Sequence, residues 1–307
     1  MNYQKILQEI QQEVSPLFGQ GKVADYIPAL AEINPKQFAM SITLLDGTQY
    51  HIGPVDTKFS IQSISKVFAL TLALEFFGKE LYARVGVEPS GDPFNSLIQL
   101  EYENGIPRNP FINAGAIVIV DALLNGHDNG ELTFEHVLRF VRNIADDKNI
   151  QIDSEIADSE MMSGYRNLAL ASLMKSFNNL SNYPITVLET YFKQCAIAMN
   201  TKQLSRAMLY LANAGTDPVT GRKITATHRA KRINAIMLTC GHYDASGEFA
   251  FNVGLPGKSG VGGGIVSVVP GVMGICVYAP ELNSSGNSLI GTKALELFTT
   301  KTGLSIF

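Results

Sequence analysis

Cysteine is scarce in this chain. Cys195, Cys240 and Cys276 are odd in number and none stands in Cys-x-x-Cys spacing, which fits a reducing compartment and argues against a disulfide or zinc framework. The five histidines, His51, His127, His136, His228 and His242, show no ligand spacing, and no Gly-rich loop ends in Gly-Lys-Ser/Thr. Neither a metal centre nor a phosphate cradle is expected, and no cofactor is implied. Charge is sparse as well. Only 17% of residues are charged, the net charge is −4, and there is neither a basic tail nor a block of one sign. Nucleic acid and anionic membrane are therefore poor candidate partners. Long apolar runs are missing too, because Glu75 interrupts one and Asp121 another before about 18 residues accumulate. The opening MNYQKILQEIQQEV has no apolar core, so no secretory signal is expected and the cytoplasm is the expected location.

What is present is enough apolar residue, 46% of 307, to bury one large core or two modest ones. The most concentrated stretch is FSIQSISKVFALTLALEFF, Phe59 to Phe77. Val67, Leu70, Leu74 and Phe77 recur at helical spacing, with Ala69, Leu72 and Ala73 filling most of the rest. A helix greasy nearly all round is buried. Ser63 and Lys66, three apart, then share a face near its first turn. A hydroxyl and an ammonium are costly there, and that points to chemistry. In Ser-x-x-Lys acyl transfer the lysine amine takes the serine proton and the freed oxygen attacks a carbonyl. Free lysine, with a pKa of about 10.4, can do this only if burial or a like charge lowers that value. The pattern is weak by itself, since Ser172 to Lys175 repeats it inside RNLALASLMKSF, where an ordinary amphipathic helix accounts for it.

In chain order, Ile6, Leu7, Ile10, Val14 and Leu17 predict an opening helix, and VADYIPALAEI a short helical or turn segment. Phe38 to Leu44 and Thr48 to Ile52, joined by Asp46-Gly47, predict an antiparallel hairpin. From Glu80 to about Arg229 the pattern predicts helices and long loops with no strand pair, and loop tips at 127–130 and 146–149. The predicted helices are Ala114–Leu124, Thr133–Ala145, Ser154–Met162, Tyr165–Phe177, Ile185–Ala198 and Thr201–Ala214. Strands are expected again at Phe249–Val253, Gly263–Val269 and Met273–Tyr278, and a last helix at Gly286–Lys301. The whole reads as an α/β (α+β) fold: a mostly antiparallel sheet built from both chain ends, about 1–79 with 230–307, beside a helical part of about 80–229.

Among the late strands stands Lys258-Ser259-Gly260, followed by Val261 and three glycines. Penicillin-recognising enzymes pair Ser-x-x-Lys with such a strand, which closes the site opposite the nucleophile. Here the order, helix first and strand late, is the right one. The sequence also resembles the serine-dependent glutaminases, which share the β-lactamase fold. The likeness runs through GKVADYIPALA, FSIQSISKV, PSGDPFNSL, GIPRNPFINAGA, the segment from Glu160 to Asn167, YFKQC, GHYDASGEFA, GLPGKSGVGGGI and PELNSSGNS. One departure is His242, where relatives usually carry methionine before the tyrosine.

The resemblance implies Ser63 as nucleophile, Lys66 as its activating partner, and Tyr243 as the phenol that passes a proton to and from the leaving ammonia. A phenol of pKa about 10 would need cations to stabilise its anion, and Lys66 and Lys258 are the candidates. It further implies Glu160 for the substrate ammonium, Asn113, Asn167 and Tyr191 for its remaining polar atoms, the Val261 and Ser63 N–H groups for an oxyanion, and Tyr26 close to the substrate. Lys258 belongs with these contacts. Without the resemblance, Glu160 reads as a solvated helix charge, Asn113 as a loop cap, and Tyr191, Tyr26 and Tyr243 as packing residues. The implied reaction is hydrolysis of L-glutamine to L-glutamate and ammonia, with no metal or organic cofactor, in a homo-oligomer (a dimer or tetramer). The rivals are a β-lactamase or DD-peptidase on the same fold and a catalytically inactive glutamine- or glutamate-binding scaffold. No clear Ser-Asp-Asn element supports the first.

Overall fold

Asp46-Gly47 does what such a pair does between alternating strands: Gly47 takes a φ of 86°, and the chain doubles back from Ala39–Leu44 (β1) into Gln49–Ile52 (β2). The computed structural model describes residues 1–90, 96–126 and 129–307. The expected loop EPSGDPFNSL and the expected tip at 127–130 each lie partly outside those residues. The remaining strands are Phe59–Ser60 (β3), Gln151–Ile152 (β4), Ile197–Met199 (β5), Gly257–Ser259 (β6), Gly264–Val269 (β7) and Met273–Tyr278 (β8). They form a five-stranded sheet in the order β2-β1-β8-β7-β6 and a three-stranded one in the order β3-β5-β4. Every pairing is antiparallel.

Apart from its edge strand β2, the large sheet is buried on both faces, and the two-residue period decides which side chain goes where. Met40, Ile42, Ile265, Ile275 and Val277 join a core with the helices Tyr3–Val14 and Leu289–Thr302. Val266, Val268, Cys276 and Tyr278 face the other core, around the Ser65–Phe77 helix. Ser41 and Thr43, on that second face, are satisfied by hydroxyl contacts of 2.8 Å to Thr201 and Ser205. Lys301 clamps the terminal helices to each other through Glu9 and Glu13. Among the described residues no helix is long and apolar enough to cross a membrane.

Four expectations need correcting. Phe249–Val253 lies in and just after a helix, Ser246–Asn252, rather than in a strand. Phe249 and Val253, four apart, are both buried while Phe251 between them is 89% exposed, so the period is helical. The middle of the chain does hold a strand pair, β4 with β5, too short at two and three residues to leave a period. The predicted Ile185–Ala198 helix accordingly stops at Cys195 and gives way to β5, and Thr201–Ala214 is two short helices broken at Met208.

Candidate active site

The small sheet matters because it delivers Ser63. β3 pairs with β5, the Ile61 N–H continues that pairing to the Ile197 carbonyl at 2.9 Å, and the chain turns at once through Gln62–Ile64 into the Ser65–Phe77 helix. Gln62 takes a φ of 47°, a left-handed value that costs a non-glycine residue about 1 kcal/mol or more and persists only where the surroundings enforce it. The result is a serine at the strand-to-helix junction, one short turn before the regular helix. Opposite it runs β6 and its glycines. A Cβ on Gly260 would stand 2.7 Å from the Ile61 carbonyl oxygen and 3.4 Å from the Ser63 nitrogen, so only glycine allows this approach. Gly260, next to Val261, is thus held against the backbone at Ser63.

Three titratable side chains are expected around Ser63, and Tyr243 meets it directly. Tyr243 is hydrogen-bonded to the Ser63 side chain and to the Val261 backbone, and its backbone takes a φ of 52°. Burial pushes its phenol well above the ordinary range, outweighing the hydrogen bonds from Ser63 and Val261. Tyr243 is therefore a neutral phenol at rest, and the expected stabilisation of its anion by cations does not overcome burial. Lys66 is 1% exposed, and its amine donates to Asn113 Oδ1 at 2.7 Å and the Phe111 carbonyl at 3.1 Å. Burial lowers it to about 8, partly opposed by Cys195 and Glu160, which brings a free amine within reach of neutral pH. Lys258 is not on the cavity wall, contrary to its expected place among the substrate contacts. Its ammonium turns to the carbonyls of Gly241 (2.9 Å) and Ser259 (2.6 Å) and lies 4.6 Å from the centre of the Tyr243 ring, behind the phenol. Burial, then the nearby Lys66, hold it well below the ordinary lysine range.

A cavity of about 290 Å³ opens in front of this group. Ser63, Tyr243, Val261, Glu160, Asn113, Asn167, Tyr191 and Tyr26 all line it, although they span 26 to 261 in sequence. Tyr191 OH donates to Asn113 Oδ1 at 3.4 Å, and Asn113 Nδ2 donates to Asn167 Oδ1 at 3.0 Å. Tyr26 is 58% exposed and belongs to the rim. Glu160 is 7% exposed, and burial raises its carboxyl to about 8 against the opposing effects of Gln62 and Lys66. A buried acid so placed regains its charge when a cation arrives. Sequence reasoning missed Gln62, whose amide approaches Glu160 at 3.5 Å, and also Arg166 and Phe192. Gln62 had no sequence signal beyond its position beside Ser63, whereas Arg166 adjoins Asn167. The second Ser-x-x-Lys is also explained: Lys175 donates to the carbonyls of Leu180 and Ser181, tying down the chain after its helix, and Ser172 is exposed.

His242 lies against the back of this site. Its ring stacks on Phe249 with centroids 3.5 Å apart, and neither ring nitrogen has a protein hydrogen-bond partner. Burial, helped by Lys258, holds it well below its ordinary 6.5. The unfolded chain takes up this proton near 6.5 and the folded one does not, so stability contributed by the neutral ring is complete above about 6.5 and is lost as pH falls below it. The slope is about 1.4 kcal/mol per pH unit. Urea unfolding between pH 7 and 5 should show that His242→Met removes one proton's worth of this dependence; identical slopes in both proteins would contradict it.

An elbow serine, a buried lysine and a buried phenol held together in this way are the parts that a serine acyl-transfer enzyme of β-lactamase-like fold uses. The Glutaminase family profile matches residues 21–307. A glutaminase of Aliarcobacter butzleri is 62% identical over the full length of both chains, and one of Rhizobium leguminosarum is 55% identical over 99% of this chain and 98% of its own. Among solved structures, a probable glutaminase of Bacillus subtilis is 35% identical with a TM-score of 0.93, covering 100% of this chain and 98% of that one. A Bacillus subtilis form complexed with 6-diazo-5-oxo-L-norleucine gives 34%, a TM-score of 0.91 and the same coverage. The chain belongs to the glutaminase family.

Proposed function

We propose that this protein hydrolyses L-glutamine to L-glutamate and ammonia through a glutamyl ester on Ser63. The observation that carries the proposal is one cavity presenting Ser63, Tyr243 and the buried Glu160 together, in a chain of this family. Its size suits a small amino acid. The ligand reported in the Bacillus subtilis structure has, by its name, a ketone at the carbon where glutamine carries its amide, which agrees with a nucleophile aimed at that carbon.

In this mechanism the Ser63 oxygen adds to the amide carbon while its proton passes to Lys66. The Ser63 and Val261 N–H groups hold the negative oxygen of the tetrahedral adduct. The carbon–nitrogen bond then breaks, and the departing nitrogen receives that proton through Tyr243. Water retraces the route: it adds to the ester, its proton goes to Lys66, and the Ser63 oxygen leaves with a proton as glutamate forms. Glu160 holds the substrate ammonium, and Asn113, Asn167 and Tyr191 cover other polar atoms. Lys258 acts from behind the Tyr243 ring, without touching substrate. A cytoplasmic homo-oligomer completes the proposal.

The test is ammonia release from L-glutamine and L-asparagine, run beside hydrolysis of the β-lactam nitrocefin. Glutamine should be the substrate. Asparagine is one methylene shorter, and missing reach of that kind costs about ten- to 200-fold. Nitrocefin turnover comparable with glutamine turnover would overturn the assignment.

A further inference from the structure

Of the side chains lining the cavity, one is a carboxyl, Glu160, and one a guanidinium, Arg166. They flank Gly164, where the helix Ser154–Ser163 hands over to the helix Tyr165–Ser176. A Cβ on Gly164 would stand 2.7 Å from the Glu160 carbonyl oxygen and 2.5 Å from Phe192 Cζ, so the junction is tight. The acid is buried and the guanidinium-bearing residue is exposed. The acid that a substrate ammonium would ionise lies in the depth of the cavity, and the guanidinium on its rim.

Arg166 stands where its own helix does not favour a cation: it occupies the first turn, at the positive end of the dipole, and no acidic residue shares that turn. Among the described residues it makes neither an ion pair nor a side-chain hydrogen bond. The neutral donors nearby are mostly committed: Tyr191 OH and one Asn113 N–H serve the Asn113 and Asn167 side chains. What the wall still offers a carboxylate is the Asn167 amide, the Tyr26 hydroxyl and, as the one permanently charged donor, the Arg166 guanidinium beside Asn167 in sequence.

With the substrate's side-chain amide at Ser63 and its ammonium at Glu160, the carboxylate on the same carbon has to find a partner near Glu160. We propose that Arg166 is that partner, a specificity-determining residue that selects a free amino acid over one whose α-carboxyl is blocked. The guanidinium fork matches a carboxylate through two parallel hydrogen bonds. This inference rests on the cavity being the glutamine site.

The experiment is steady-state ammonia release from glutamine and from glutamine α-methyl ester, with wild type, Arg166→Gln and Arg166→Lys. A pair open to solvent is a modest one, so Arg166→Gln should raise the KM for glutamine about three- to tenfold with kcat within about twofold. Arg166→Lys should fall between the two. The wild-type KM for glutamine should climb with added salt and that of Arg166→Gln should not. For the ester, kcat/KM should be the same in wild type and Arg166→Gln. Equal losses on glutamine and ester, or no loss on glutamine, would overturn the role of Arg166. A wild-type protein that releases no ammonia from glutamine would instead remove the reading beneath it.

Discussion

With Ser63 replaced by alanine, ammonia release from glutamine is expected to fall by on the order of 10⁴- to 10⁶-fold, the scale seen when a serine hydrolase loses its nucleophile. The reason is specific to the oxygen. Backbone amides at 63 and 261 survive the change, as do Glu160 and the Asn113–Asn167 pair, so glutamate should still bind. The Ser63 side chain is 8% exposed and is a hydrogen-bond partner of Tyr243, so alanine removes that partner with little loss of packing. A glutamate dehydrogenase-coupled assay measures the first quantity and titration calorimetry with glutamate the second. Turnover within tenfold of wild type in Ser63→Ala would end the glutamyl-ester mechanism.

Lys66→Met is the second large effect. Methionine has a similar volume and brings no charge into a site that is 1% exposed. It leaves the Phe111 carbonyl without its Lys66 donor and Asn113 Oδ1 with only the longer bond from Tyr191 OH at 3.4 Å, a cost of about 1–3 kcal/mol that the fold should survive. kcat should drop by about 10²- to 10⁴-fold, the usual worth of a positioned base. The pH profile separates this from misfolding. In wild type, kcat should rise with pH through about 8, because Lys66 works only after it gives up its proton. Glu160 must ionise to take the substrate ammonium, and it too is held at about 8, so kcat/KM should rise more steeply than kcat. Lys66→Met should lose the rise in kcat. A variant that keeps kcat within tenfold, or the wild-type limb, would transfer the base's role to another group.

Much of this was legible in the residues, and for identifiable reasons. Asp46-Gly47 announced its hairpin because a tight turn depends on two neighbours alone. The Ser65–Phe77 helix was visible because thirteen residues at one period leave little ambiguity. GEFAFNV was misread because so short an apolar run fits both periods, and only the exposure of Phe251 beside the burial of Phe249 separates them. β4 and β5 were invisible because two- and three-residue strands carry no period at all.

The sequence by itself determined the local elements and, through long distinctive motifs, the family to which the chain belongs. Spacing alone could not choose between two copies of Ser-x-x-Lys, although the family motifs pointed to the first. Packing shows the physical difference, burying Lys66 against Phe111 and Asn113 and leaving Lys175 to brace a helix end. Nor could the sequence say which acids and bases would be shifted. Desolvation depends on what surrounds a group in three dimensions, and the neighbours of Glu160, Lys66 and Tyr243 come from residues up to two hundred positions apart. Tertiary structure alone put Lys258 behind Tyr243 and Arg166 on the rim.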